Sequence, residues 1–215
     1  LQKGLSHWQL ACVWLAFVLS EGDHRKVALQ PWALNRQHTL EVLLRQPLRE
    51  VECSDDRLGL LLRRLARADW PALETGLWQA ACLGYGFQVT SVRLDATTAS
   101  GYHRPTQHGL MQRGHSKDHR PDLAQLKLMG AAAQPHGHLL ACDITSGEKA
   151  DDPLYTPLLK RVRQLLDRRG LLYVGDCKMA ALATRAELVA AGDYYLTILP
   201  LTGEARTQLP TWIET

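Results

Sequence analysis

The period of the hydrophobic residues first changes at Gly84 and Gly86 of this chain, and that change limits the folds open to it. Up to about Leu83, apolar residues recur every three or four positions, as on helices that bury one face. Gly84 and Gly86 break the pattern, and short alternating or continuous apolar runs follow, as strands require. Leu5 to Ser20 reads as one helix, ended by Glu21-Gly22-Asp23. A second is expected from about Trp32 to Arg45, begun by Pro31 and stopped by Pro47. Ser54 caps a third, with Asp55 and Asp56 in its first turn and Leu58, Leu61, Leu62 and Leu65 on one face. Asp69 caps a fourth, with Pro71 in the first turn and Leu73, Leu77 and Ala80 facing inward. Trp8, Trp14, Trp32, Trp70 and Trp78 fall at helix spacing and are assigned to the core.

Beyond Gly86, strands are expected at Phe87 to Asp95, Leu123 to Ala133 and His138 to Thr145, the last two joined by the turn Gln134-Pro135-His136-Gly137. A helix from Asp151 or Asp152 to about Arg169 puts Leu158, Leu159, Val162, Leu165 and Leu166 on one face, and Gly170 ends it. Leu171 to Val174 is a continuous apolar run, as in a strand buried on both faces. A helix over about Ala180 to Ala191 and a strand from Tyr194 to Leu199 complete the order β-β-β-α-β-α-β. The expected class is therefore α/β, a mixed sheet preceded by an all-helical region. The boundaries are 1–86 for the helices, 87–200 for the sheet and 201–215 for the start of an insertion or a truncated tail.

At 215 residues the chain can bury a substantial core in one large or two small domains. A net charge of +3 permits a nucleic-acid partner without demanding one. The five cysteines form no C-x-x-C pair, which fits reduced thiols in a cytosolic protein. The most apolar stretch, Leu10 to Leu19, is half the roughly 20 residues that a membrane span needs. No secretory signal precedes it. A chain that opens on Leu1 and stops at Thr215 without a cap is expected to be a fragment, truncated at both ends.

Two apolar runs end on aspartate: Ser91-Val92-Arg93-Leu94-Asp95 and Leu171-Leu172-Tyr173-Val174-Gly175-Asp176. Carboxylates at neighbouring strand ends can converge on a divalent metal. Two of them about 4 Å apart repel by roughly 4 kcal/mol at an effective dielectric near 20. Such a pair needs a cation between its members or a proton on one. A lone aspartate at a strand end also serves as a turn former or helix cap.

Four segments in order resemble the DDE-type transposases of bacterial insertion sequences. Leu94-Asp95-Ala96-Thr97-Thr98-Ala99-Ser100-Gly101 is similar to the first catalytic-Asp segment. Gly114-His115-Ser116-Lys117-Asp118-His119-Arg120-Pro121-Asp122-Leu123 resembles the approach to the second strand. Ser146-Gly147-Glu148-Lys149-Ala150-Asp151-Asp152 resembles the stretch before the crossover helix, and Tyr173-Val174-Gly175-Asp176-Cys177-Lys178-Met179 the second catalytic-Asp segment. Leu19-Ser20-Glu21-Gly22-Asp23-His24-Arg25 is a weaker likeness in the helical part.

The resemblance implies a ribonuclease-H-like domain that cleaves and rejoins DNA at transposon ends with Mg²⁺ (Mn²⁺ as a substitute), two ions filling the complete site. It makes Asp95 and Asp176 catalytic metal ligands. The family's third carboxylate, a Glu on a later helix, has no assigned counterpart: Glu187, Glu204 and Glu214 fall elsewhere, and little activity is expected of this fragment. Arg104, Arg113, Lys117, His119 and Arg120, with Lys178, are read as DNA-backbone contacts. A solvated loop would carry the same charges. Four histidines in that loop lack the spacing of a zinc site. Thr97, Thr98 and Ser100 either position phosphate or fill β-structure, and Arg63, Arg64 and Arg67 form a basic helix face. The implied partners are double-stranded DNA, as terminal inverted repeats and target, and further copies of the chain in a homodimer or larger synaptic complex. No membrane is involved, and the expected location is cytoplasmic, at the nucleoid. The alternatives are a non-catalytic DNA-binding transposase remnant and another ribonuclease-H-like nuclease.

Overall fold

The computed structural model describes residues 4–116, 118–199 and 201–213. The chain divides into two compact units, Leu1–Asp69 and Trp70–Thr215.

In the first unit, α1 (His7–Glu21) begins with a reciprocal cap in which Ser6 Oγ accepts from the Gln9 N–H and Gln9 Oε1 accepts from the Ser6 N–H. It ends at Gly22, whose φ of 62° suits glycine. Leu10, Val13 and Phe17 point inward from it. The expected helix from Trp32 to Arg45 is two helices, α2 (Lys26–Asn35) and α3 (Gln37–Leu44), and Pro31 lies inside α2, not at its start. Leu29 and Ala33, four residues apart, both bury, so the helix reaches back to Lys26 to present them on one face. Ser54 caps α4 (Asp55–Leu65) through the Arg57 N–H. Trp8 and Trp70 depart from their assignment to the core, being 68% and 45% exposed, while Trp78 is buried.

The sheet unit starts earlier than the change of period at residue 86. Helix α5 (Trp70–Tyr85) belongs to it: Trp78 joins the sheet core, and Glu74 accepts from the Cys142 N–H at 2.9 Å and pairs with Arg161. Five strands follow: β1 (Ser91–Gly101), β2 (Ala124–Gln134), β3 (His138–Ser146), β4 (Leu172–Gly175) and β5 (Tyr194–Thr197). Helix α6 (Tyr155–Leu166), entered by a 3-10 turn at Asp152–Leu154, separates β3 from β4, and α7 (Leu182–Ala190) separates β4 from β5. The tail contains α8 (Glu204–Ile213), a helix that the sequence did not announce.

The strand order is β3-β2-β1-β4-β5, antiparallel across β3-β2-β1 and parallel across β1-β4-β5. This is the ribonuclease-H-like arrangement. Along β1, Val92, Leu94 and Ala96 are buried and Arg93, Asp95 and Thr97 are exposed, the alternation of a strand covered on one face. The buried face packs with Met129, Ala131 and Ala133 of β2, Tyr155, Leu158, Leu159 and Val162 of α6, and Tyr173 of β4.

One expectation needs correction. Asp95 is not at the tip of its strand, because β1 runs on to Gly101 against β2, in register from Ser91↔Gln134 to Gly101↔Ala124. The small residues after Asp95 hide a strand that its antiparallel neighbour completes. Only the parallel partner, β4, stops short.

Candidate active site

Register puts the two aspartates together. β1 and β4 pair in parallel at Ser91↔Leu172, Val92↔Tyr173 and Arg93↔Val174. Asp95 lies two residues past the last pair on β1, and Asp176 two residues past it on β4. Neighbouring strands are about 4.8 Å apart, so equal offsets from one register pair bring the two residues side by side. Both line a single open cleft of about 560 Å³ with Arg93, Val174, Gly175, Leu196 and Thr197.

Local chemistry holds each carboxylate. Asp95 Oδ1 accepts from the Ala96 N–H at 2.7 Å. Asp176 Oδ1 accepts from the Lys178 N–H at 2.9 Å and from the Tyr155 hydroxyl at 2.7 Å. The tight turn after β4 is closed by the Met179 N–H on the Asp176 carbonyl, to which the Thr197 hydroxyl also donates. A Cβ at Gly175 would lie 2.7 Å from Met179 Sδ, so a larger residue there would displace the Met179 side chain.

Tyr155 is fully buried at the start of α6. Burial pushes its hydroxyl well above the usual tyrosine range, the bond to Asp176 adds to this, and the negative charges of Asp176, Asp95 and Asp151 add more. The hydroxyl therefore stays protonated and serves as a donor. Below it, Lys127 of β2 forms a nearly buried ion pair with Asp151.

No residue type in the sequence marked Tyr155, because its partner is 21 positions away and only the fold joins them. Arg185 was missed as well. It lines a neighbouring cleft of about 720 Å³ with Lys178, Tyr195, Thr197 and Thr202. Thr197 borders both clefts, so the cleft holding Lys178 and Arg185 adjoins the one holding the aspartates.

The residues read as DNA contacts are dispersed over an exposed surface. Arg104, Arg113, His119 and Arg120 are all exposed in the connection between β1 and β2. That connection is tied to the sheet by the reciprocal backbone bonds of Gln112 and Gln125. Gly147 packs so closely against this bridge that a Cβ would lie 2.0 Å from the Gln125 carbonyl oxygen and 2.8 Å from that of Gln112. Arg120 is paired with Asp122 at 2.7 Å, and His119 has a left-handed backbone. Lys178 is exposed, with Nζ 4.0 Å from Asp152. Lys117 and Glu214 lie outside the described residues. Among the described residues, no group of three or more His, Cys, Asp or Glu is placed to hold a metal, so neither a zinc site nor a third carboxylate joins Asp95 and Asp176. No helix of the described residues is long and apolar enough to cross a membrane.

No family model matches the chain, and comparison with the curated proteins finds no match. Among solved structures, it is similar to the Mos1 transposase paired-end complex with left transposon end, at 12% identity and a TM-score of 0.37, over 94% of this chain and 62% of that one. It is similar also to the Mos1 mariner paired end complex with Mn, at 13% identity and a TM-score of 0.35, over 99% and 75% of the two chains. A third is the piggyBac transposase synaptic complex with hairpin DNA, at 11% identity and a TM-score of 0.46, over 92% and 42%. The chain thus spans about three fifths of the length of the first of these.

Proposed function

We propose that the sheet unit is the catalytic core of a DDE-type transposase of the bacterial insertion-sequence kind, acting on double-stranded DNA at transposon ends. The observation that carries this reading is that Asp95 and Asp176, each two residues past the last β1–β4 pair, line one cleft. The donor set suits a hard divalent ion. Each carboxylate has one oxygen engaged by the protein, and Mg²⁺ characteristically binds one or two carboxylates while keeping waters or substrate phosphates. Asp95 and Asp176 would hold Mg²⁺, or Mn²⁺ in its place, with two ions in the complete site. A metal pair supplies activation of a water or 3′-hydroxyl and stabilisation of the leaving oxygen.

The chain's own part is placement. Tyr155, the Lys178 N–H and the turn closed by Met179 fix Asp176, while β2 holds β1 at Asp95 and β4 flanks it as far as Arg93. Arg104, Arg113, His119, Arg120 and Lys178 would neutralise DNA phosphates, and the helical unit would grip the terminal inverted repeats. Assembly as a homodimer or larger synaptic complex at the nucleoid completes the reading.

The test is nicking of supercoiled plasmid with Mg²⁺ or Mn²⁺. Metal-dependent nicking lost in Asp95→Asn supports the enzyme. The absence of a third ligand among the described residues favours a second reading, a DNA-binding remnant without catalysis. DNA binding with no nicking under either metal selects that remnant.

A further inference from the structure

The geometry points to Tyr155 as a positioning residue that restricts Asp176 to one open oxygen and so sets which divalent ion the cleft prefers. The inference rests on the metal reading above and deepens it. Both described donors to the Asp176 side chain, the Tyr155 hydroxyl and the Lys178 N–H, converge on Oδ1, and no described donor reaches Oδ2. Asp95 has the same asymmetry, with the Ala96 N–H on Oδ1. Neither carboxylate has a cationic partner among the described residues. A carboxylate whose one oxygen accepts two short hydrogen bonds offers the other to a ligand and resists chelating through both. Ca²⁺ tolerates irregular shells and often takes carboxylates through both oxygens, whereas Mg²⁺ and Mn²⁺ favour octahedral shells of single-oxygen donors.

Tyr155 is the right residue for this. Its ring is fully buried among Leu158, Leu159 and Val162, so the hydroxyl has a fixed origin. The hydroxyl donates to Asp176 Oδ1 at 2.7 Å. Phenylalanine at this position keeps the ring and the core and removes the donor alone. Tyr173 supplies a matched control: it is equally buried, in the adjacent strand, and its hydroxyl makes no hydrogen bond to Asp95 or Asp176.

The experiment is Mn²⁺ titration of the 215-residue chain followed by electron paramagnetic resonance, with displacement by Ca²⁺ as the second arm. Wild type should prefer Mn²⁺, and Tyr155→Phe should lower the Mn²⁺-over-Ca²⁺ preference about tenfold, the low end for losing a partner of a metal ligand. Tyr173→Phe should leave the preference unchanged. An unaltered preference in Tyr155→Phe, or an equal loss in Tyr173→Phe, overturns the inference while leaving the metal site standing. Wild-type Mn²⁺ uptake no greater than that of an Asp95→Asn/Asp176→Asn double variant overturns the metal site and the inference with it.

Discussion

Glu52 in the helical unit and the pair Asp95 and Asp176 in the sheet unit are treated in opposite ways by their surroundings. The Glu52 side chain is wholly buried and fully answered. Arg49 donates to Oε1, while Arg57 at 2.9 Å and the Leu5 N–H at 2.8 Å donate to Oε2. Arg57 continues to the Leu5 carbonyl, so one carboxylate ties the start of α1 to the turn before α4. The sheet unit contains a similar knot, with Asp193 buried against Arg163 and capping the Leu171 N–H. In the cleft, the two carboxylates form no ion pair among the described residues, and each keeps an oxygen open. Carboxylates that hold a fold together are saturated with donors. Those left unsaturated side by side raise the free energy of the fold and are retained for something else.

The largest test of that contrast is catalytic. In a chain competent for cleavage, Asp95→Asn or Asp176→Asn should reduce strand cleavage at least about 10³-fold, on the order of 4 kcal/mol of lost transition-state stabilisation. DNA binding, measured by gel shift, should persist. Cleavage at the wild-type rate in either variant removes that residue from the site.

Next in size is the stability of the helical unit. Glu52→Gln should cost about 3 kcal/mol in urea unfolding, because Arg57 and Arg49 lose the charge that they enclose. Burial alone would raise the Glu52 pKa, but the Arg49 hydrogen bond, the Leu5 N–H and the charges of Arg57 and Arg49 outweigh it and hold it below the usual range. A depressed carboxylate stabilises the fold above its unfolded pKa, near 4.3 for glutamate, and loses that contribution as the pH falls through its folded value. Wild type should therefore weaken on acidification below about pH 4.5, and Glu52→Gln should flatten that part of the curve. An unchanged acid limb means that Glu52 is not the group responsible.

Asp95→Asn should act in the opposite direction on stability. It removes a like charge beside Asp176 and keeps an oxygen to accept from the Ala96 N–H, so a gain of about 1 kcal/mol is expected at low salt, shrinking as salt is raised. Asp176→Asn is the poorer probe, since it also weakens the bond from Tyr155. A loss of stability in Asp95→Asn would place Asp95 with Glu52 among the structural carboxylates.

Much of this was legible from residue order. The change of period at Gly84 and Gly86 announced the sheet, and the apolar runs placed β2, β3, β4 and β5 to within a few residues. Two aspartates at matched positions followed from those runs. What escaped has a physical reason in each case. Ala96 to Ser100 are small or hydroxylated, and their strand character comes from pairing with Gln125 to Met129, which no local pattern reveals. Glu52, in a charged stretch before Ser54, looks like a solvated turn residue until Leu5 and Arg57 close over it. Tyr155 reads as one more apolar face residue of α6, and its hydroxyl gains meaning only where β4 ends.

The smallest effects concern the exposed cations, and here the same contrast between answered and unanswered charges ranks them. Arg120 is held by Asp122 and reaches the Tyr102 hydroxyl, an arrangement that raises its pKa through the Asp122 bond first. Arg104 and Arg113 form no ion pair among the described residues. A cation already neutralised by a neighbouring carboxylate releases fewer counterions when phosphate displaces that neighbour. Arg104→Ala and Arg113→Ala should each reduce the slope of log affinity against log salt by about 1, and Arg120→Ala by clearly less. Fluorescence anisotropy with a duplex across a salt series measures all three. If Arg120→Ala lowers the slope as much as the other two, the Asp122 pair opens on binding and Arg120 belongs with the free cations of the surface.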